Sequence, residues 1–173
     1  EHDQDREHRE GQYRRADQRD APVGECRNAG QEHRGDRPAQ RDAAATAIVS
    51  SAFGFQGQKC SACSRAILVD AVHDAVLERI VARTKALRVG DPADPATQVG
   101  PMTGQEQLDK TLAYVEIGRQ EGRIVAGGAR HGETGWFVEP TVVADVKPGS
   151  RLEQEEVFGP VLAVIRARDW RHA

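Results

Sequence analysis

A cysteine set among small residues is the part of this chain best suited to chemistry. Residues 53–65 read Phe53-Gly54-Phe55-Gln56-Gly57-Gln58-Lys59-Cys60-Ser61-Ala62-Cys63-Ser64-Arg65. A free thiol ionises only near pH ~8.5, so a nucleophilic cysteine needs a nearby positive charge or an array of backbone N–H groups. Gly57, Ser61 and Ala62 let the backbone and a carbonyl substrate come close to the sulfur of Cys60. Attack on a carbonyl carbon turns its oxygen into an oxyanion, which the N–H of Cys60 itself is well placed to bind. Two other readings stay open. A lone free cysteine is most often a buried structural thiol. Cys60 and Cys63 also have C-x-x-C spacing, but redox pairs of that kind follow a strand, and here an Ala-rich helical run precedes them. A zinc site needs two further ligands at matching spacing, which Cys26 and the scattered histidines do not supply.

The segment from Phe53 to Arg65 resembles the nucleophile motif of the aldehyde dehydrogenase superfamily, in which Phe, three residues, Gly-Gln and one residue precede the reactive Cys. The spelling FGFQGQKCSACSR is most similar to the branch that oxidises L-glutamate γ-semialdehyde, the open form of pyrroline-5-carboxylate, to glutamate. Supporting stretches are Val89-Gly90-Asp91-Pro92, Val99-Gly100-Pro101, Gly135–Thr141 and Glu155-Glu156-Val157-Phe158-Gly159-Pro160-Val161. The resemblance implies a thiohemiacetal and then a thioester on Cys60, with NAD as oxidant. It implies that Glu156 hydrogen-bonds the nicotinamide ribose and that Phe158 packs on the nicotinamide ring. In the semialdehyde branch the Ser after the nucleophile contacts the substrate carboxylate, which would be Ser61. Each has a plainer alternative: a solvated carboxylate for Glu156, a core aromatic for Phe158, helix packing for Ser61. Cys63 reads as a packed bystander and Arg65 as a structural contact.

The elements that must hold these residues follow from periodicity. Residues 42–53 read as an Ala-rich helix with Asp42 as N-cap. Residues 66–69 read as a short buried strand. Residues 71–87 form an amphipathic helix with Val72, Val76, Ile80 and Leu87 on one side, stopped by Gly90-Asp91-Pro92. A second helix covers 105–121, with Leu108, Leu112 and Val115 inward and Gly122 as its stop. Strands are expected at 123–126, 136–143 and 161–166. Such alternation predicts an α/β fold, an open, mainly parallel sheet flanked by helices. Gly127-Gly128 and Gly132–Gly135 are turn material, without the strand–GxGxxG–helix setting of a dinucleotide site.

Composition separates the first quarter of the chain from the rest. Of the 173 residues 38% are hydrophobic, but residues 1–43 hold 9 Arg, 11 Asp or Glu and no Lys. Their net charge of −2 rules out a basic nucleic-acid arm. Residues 1–41 are therefore expected to be disordered in isolation, as out-of-frame or unrelated sequence, and 42–173 to be a partial catalytic domain. No apolar run approaches membrane-spanning length, no signal-peptide pattern is seen, and cysteine usage suits the cytoplasm. The resemblance also implies a small-molecule aldehyde substrate and a homo-oligomeric parent enzyme. The family's general base lies in an E-[LM]-G-G-K motif, which is not found here. Glu25-Cys26 stands near its place without the Gly-Gly, so the role is not assigned to Glu25. The oxyanion-hole Asn, the Gly-rich cofactor segment and the late pocket-closing segment are not matched either. The expectation is thus a fragment of such an enzyme. The alternatives are another semialdehyde or broad-specificity aldehyde dehydrogenase, and a non-catalytic remnant.

Overall fold

A computed structural model describes residues 37–173. The expected disorder of residues 1–36, and with it Glu25 and Cys26, lies outside the described residues. Helix α1 spans Arg37–Phe53 and buries Ala45, Val49, Ala52 and Phe53, a stripe at i, i+4, i+7 and i+8. It begins five residues before the predicted start, because Pro38 is tolerated in a first turn. Asp42 is thus inside the helix and not its N-cap. Its carboxylate accepts instead from Arg79 Nε (3.1 Å) and Arg83 Nη2 (3.0 Å) of the neighbouring helix. Residues 37–41, grouped by composition with the preceding segment, are the first turn of α1.

Strand β1 (Arg65–Val69) leads into α2 (His73–Lys85), which buries His73, Val76, Ile80 and Thr84. The helix is shorter at both ends than its apolar pattern, since Val72 and Leu87 pack against the core from the flanking turns. α3 (Gln105–Glu121) buries Leu108, Thr111, Val115 and Gly118, and β2 (Arg123–Ala126) follows directly. The strand expected at 136–143 is reduced to β3, Thr141–Ala144. Pro140 has no N–H to give a ladder, and the carbonyl of Trp136 is taken by Met102 N–H (2.8 Å). The one-turn helix α4 (Arg151–Gln154) has no signal in the periodicity. Its first N–H groups, of Arg151 and Leu152, donate to the Glu121 carboxylate of α3 (3.0 and 2.9 Å). Strand β4 (Val161–Ala167) ends the fold.

The sheet order is β1-β4-β3-β2, with β1, β4 and β3 parallel and β2 antiparallel at one edge. β3 and β4 are covered on both faces and read as nearly continuous apolar runs. One face (Ala66, Leu68, Val142, Leu162, Val164) packs on α1 and α2. The other (Val143, Val161, Ala163, Ile165) packs on Val115 of α3 and Leu152 of α4. The mainly parallel α/β sheet read from the sequence is therefore the fold. Gly127, Gly128, Gly132 and Gly135 have positive φ, as turn residues do. No described helix is long and apolar enough to cross a membrane.

Candidate active site

Parallel neighbours in a sheet start at the same edge, so the loops that enter them are brought side by side. β1 and β4 pair in parallel with Arg65 opposite Ala163. The segment before β1 carries Cys60, and the segment before β4 carries Glu156 and Phe158. Residues 96 and 98 positions apart from Cys60 thus meet it in one cleft of about 340 Å³. Its lining includes Gly57, Lys59, Cys60, Cys63, Glu156 and Phe158. The cleft lies at the N-terminal ends of the strands, opposite to the usual ligand crevice of open α/β sheets. A larger cleft of about 550 Å³, between α1 and α2, is lined by Val49, Phe53, Leu87 and Val99, with Thr46 and Ser50, and holds no cysteine. The smaller one is the cleft that Cys60 lines.

The Cys60 segment is shaped by a sharp reversal at the end of α1. Phe55, Gln56 and Gly57 all take left-handed backbone angles, with φ of 52°, 57° and 67°. The Cys63 N–H then returns to the Ser51 carbonyl at the end of α1 (3.3 Å). Ala62 N–H donates to the Lys59 carbonyl (3.0 Å), closing a turn with Cys60 and Ser61 at its centre. That bond leaves the N–H groups of Cys60 and Ser61 outside the turn's own pairing. Cys60 is exposed. Ser61 is exposed too, but it is not among the residues lining the cleft. Cys63 is half-buried against the α1 core, and its Sγ donates to the Arg65 carbonyl (3.3 Å). Burial pushes the Cys63 thiol up. Arg65 donates from Nη1 to the Glu153 carbonyl, a structural tie between the two segments.

The second segment is pinned from below. Val157 is buried in the α3-side core, while Glu156 beside it is exposed and Phe158 half-buried. Phe158 has φ 57°, a strained value for a residue with a Cβ. Gln107 of α3 holds this strained peptide: its Nε2 donates to the carbonyls of Val157 (3.1 Å) and Phe158 (2.8 Å). Glu155 accepts from Arg151 (3.0 and 2.9 Å) and from the Tyr114 hydroxyl (2.5 Å). Arg151 first, and Tyr114 second, hold its carboxyl down at about 2. The same pairing raises the Tyr114 hydroxyl. The two segments touch at Gly57, where a Cβ would stand 2.4 Å from the Gly159 carbonyl oxygen. Only glycine satisfies both that contact and the positive φ.

Sequence reasoning identified Cys60, Glu156 and Phe158, and the cleft joins them. It did not find Gln107, Tyr114 or Arg151, which hold the Glu156–Phe158 segment through contacts with no local signature. Among the described residues no group of three His, Cys, Asp or Glu is arranged to hold a metal.

A model of the aldehyde dehydrogenase family matches residues 36–173. The 1-pyrroline-5-carboxylate dehydrogenase of Geobacillus kaustophilus (strain HTA426) is 55% identical over 138 residues, covering 80% of this chain and 27% of that protein. The crystal structure of 1-pyrroline-5-carboxylate dehydrogenase from Thermus with bound NAD superposes with a TM-score of 0.73 at 50% identity, over 76% of this chain and 25% of that one. The γ-glutamyl-γ-aminobutyraldehyde dehydrogenase from Burkholderia cenocepacia J2315 has the same TM-score at 41% identity, over 76% of this chain and 27% of that one. The chain thus spans about a quarter of the length of these relatives.

Proposed function

The chain belongs to the aldehyde dehydrogenase family, and from that premise we propose that its cleft is the nucleophile part of an NAD-dependent site oxidising L-glutamate γ-semialdehyde to L-glutamate. The observation that carries the reading is the meeting of Cys60, Glu156 and Phe158 in one cleft, in a chain 55% identical to a 1-pyrroline-5-carboxylate dehydrogenase.

The Cys60 thiolate attacks the aldehyde carbon, forming a C–S bond and an oxyanion. The N–H of Cys60, outside the hydrogen bond of its own turn, donates to that oxygen. NAD, when bound, supplies the acceptor that makes the reaction an oxidation. A carboxylate and an aromatic ring at one rim fit a nicotinamide riboside: exposed Glu156 accepts from ribose hydroxyls, and the half-buried Phe158 ring offers a flat face. Hydrolysis of the Cys60 thioester releases glutamate and restores the thiol. Ser61, beside Cys60 in the same turn, is assigned the substrate carboxylate, to which a short hydroxyl can donate. The cytoplasm is the proposed compartment and a homo-oligomer the proposed parent assembly.

Incubation with glutamate γ-semialdehyde and peptide mass spectrometry tests the assignment. An adduct on Cys60 that vanishes in Cys60→Ser and weakens in Ser61→Ala is expected. An adduct on Cys63, or a stronger one with a semialdehyde of different length, would discard the nucleophile or the substrate respectively.

A further inference from the structure

We propose that the loop between α2 and α3, through Gly100 and Thr103, is a positioning element for Cys60 and acts on it through the amide side chains of Gln56 and Gln58. The inference rests on the reading of Cys60 as nucleophile.

Left-handed backbone is disfavoured for any residue with a Cβ, and two such residues in succession persist only where their surroundings hold them. Phe55 and Gln56 are such a pair, four to five positions before Cys60. Two amides fasten the reversal that follows. Gln58 pairs with Thr103 in both directions: its Nε2 donates to Thr103 Oγ1 (3.0 Å), and Thr103 N–H donates to its Oε1 (3.1 Å). The Gln56 amide is assigned the orientation that satisfies both its neighbours, with its oxygen accepting from Gly100 N–H (2.8 Å) and its nitrogen donating to the Phe55 carbonyl (3.0 Å). The fit at Gly100 is close, since a Cβ there would stand 2.9 Å from the Gln56 amide.

The loop itself is anchored. Met102 is buried with Leu108 and Val138, and its N–H donates to the Trp136 carbonyl (2.8 Å). Its methyl also reaches the other half of the site, because a Cβ on Gly159 would sit 3.4 Å from Met102 Cε. One loop thus touches both the Cys60 segment and the Phe158 segment. Gln58 and Thr103 do not line the cleft. They act through the backbone they hold, which makes them positioning residues.

Amide hydrogen exchange by NMR on the full chain tests this with Thr103→Val. The Gln58 and Ala62 amides, which donate to the Phe55 and Lys59 carbonyls, are expected to exchange about tenfold faster. The Cys63 amide, tied to Ser51, should not change, and Thr103→Ser should restore the wild-type rates. Gly100→Ala, which displaces the Gln56 amide and presses more lightly on Pro92, should give the same local pattern. Unchanged Gln58 and Ala62 rates in both variants, or faster exchange spreading to Cys63, would overturn the proposal. Faster local exchange in a chain whose wild type forms no Cys60 adduct with glutamate γ-semialdehyde supports the positioning element and counts against the substrate reading, so the two failures are told apart.

Discussion

Cys60 and Cys63 are three positions apart, yet one thiol is exposed and the other is packed, hydrogen-bonded and held protonated by burial. Iodoacetamide is therefore expected to label Cys60 well before Cys63, by at least about tenfold, since the thiolate is the reacting form. Sequencing of the Cys60–Arg65 tryptic peptide reads the order, and equal labelling would contradict it. Gly57 is the second residue-scale constraint. Gly57→Ala adds left-handed strain and forces a Cβ onto the Gly159 carbonyl, costing about 3 kcal/mol. Denaturant titration checks this, and a midpoint within error of wild type would mean that the two segments separate freely.

At the scale of elements, α3 supports the Glu156–Phe158 loop. Removing the Gln107 amide leaves the Val157 and Phe158 carbonyls without their donor, a loss of about 1–3 kcal/mol. Gln107→Ala should show it as lower stability and as faster proteolysis within residues 155–160. The Arg151–Glu155–Tyr114 group gives this loop a pH dependence. Glu155 is held at about 2 in the folded chain, below the usual carboxylate value of about 4.3. Its contribution is present above the ordinary value and is lost as pH falls from about 4 to about 2. Acid titration of stability should therefore be steeper in wild type than in Glu155→Gln across that window. Identical acid limbs would show that the group carries no net stabilisation, as exposed ion pairs often do not.

On the scale of the whole molecule, the proposed site pairs Cys60 as nucleophile with a rim assigned to nicotinamide, and the sequence has no E-[LM]-G-G-K motif for a general base. Loss of a general base alone typically costs about 10²–10⁴-fold. The 173-residue polypeptide is expected to form a Cys60 adduct but to give no steady-state NADH. Sustained NADH production by the purified chain would show that a base within these residues has been overlooked.

The sequence by itself determined most element positions and the family. The run from Phe53 to Arg65 carries its residue types at fixed spacing, so Cys60 could be proposed without coordinates. α3 and β2 begin and end where their patterns do, because packing repeats every 3.6 or 2 residues along the chain. Boundaries set by distant partners were not legible. Asp42 looks like a cap until Arg79 and Arg83 claim it, and α4 exists because Glu121, some thirty residues earlier, supplies its first acceptors. The site itself was only half written in the chain. That Glu156 and Phe158 face Cys60 follows from the parallel pairing of β1 with β4, and that Gly100 and Thr103 hold the Cys60 turn follows from where Met102 is buried. Those are contacts across tens of residues, decided by how the layers pack and not by any local pattern.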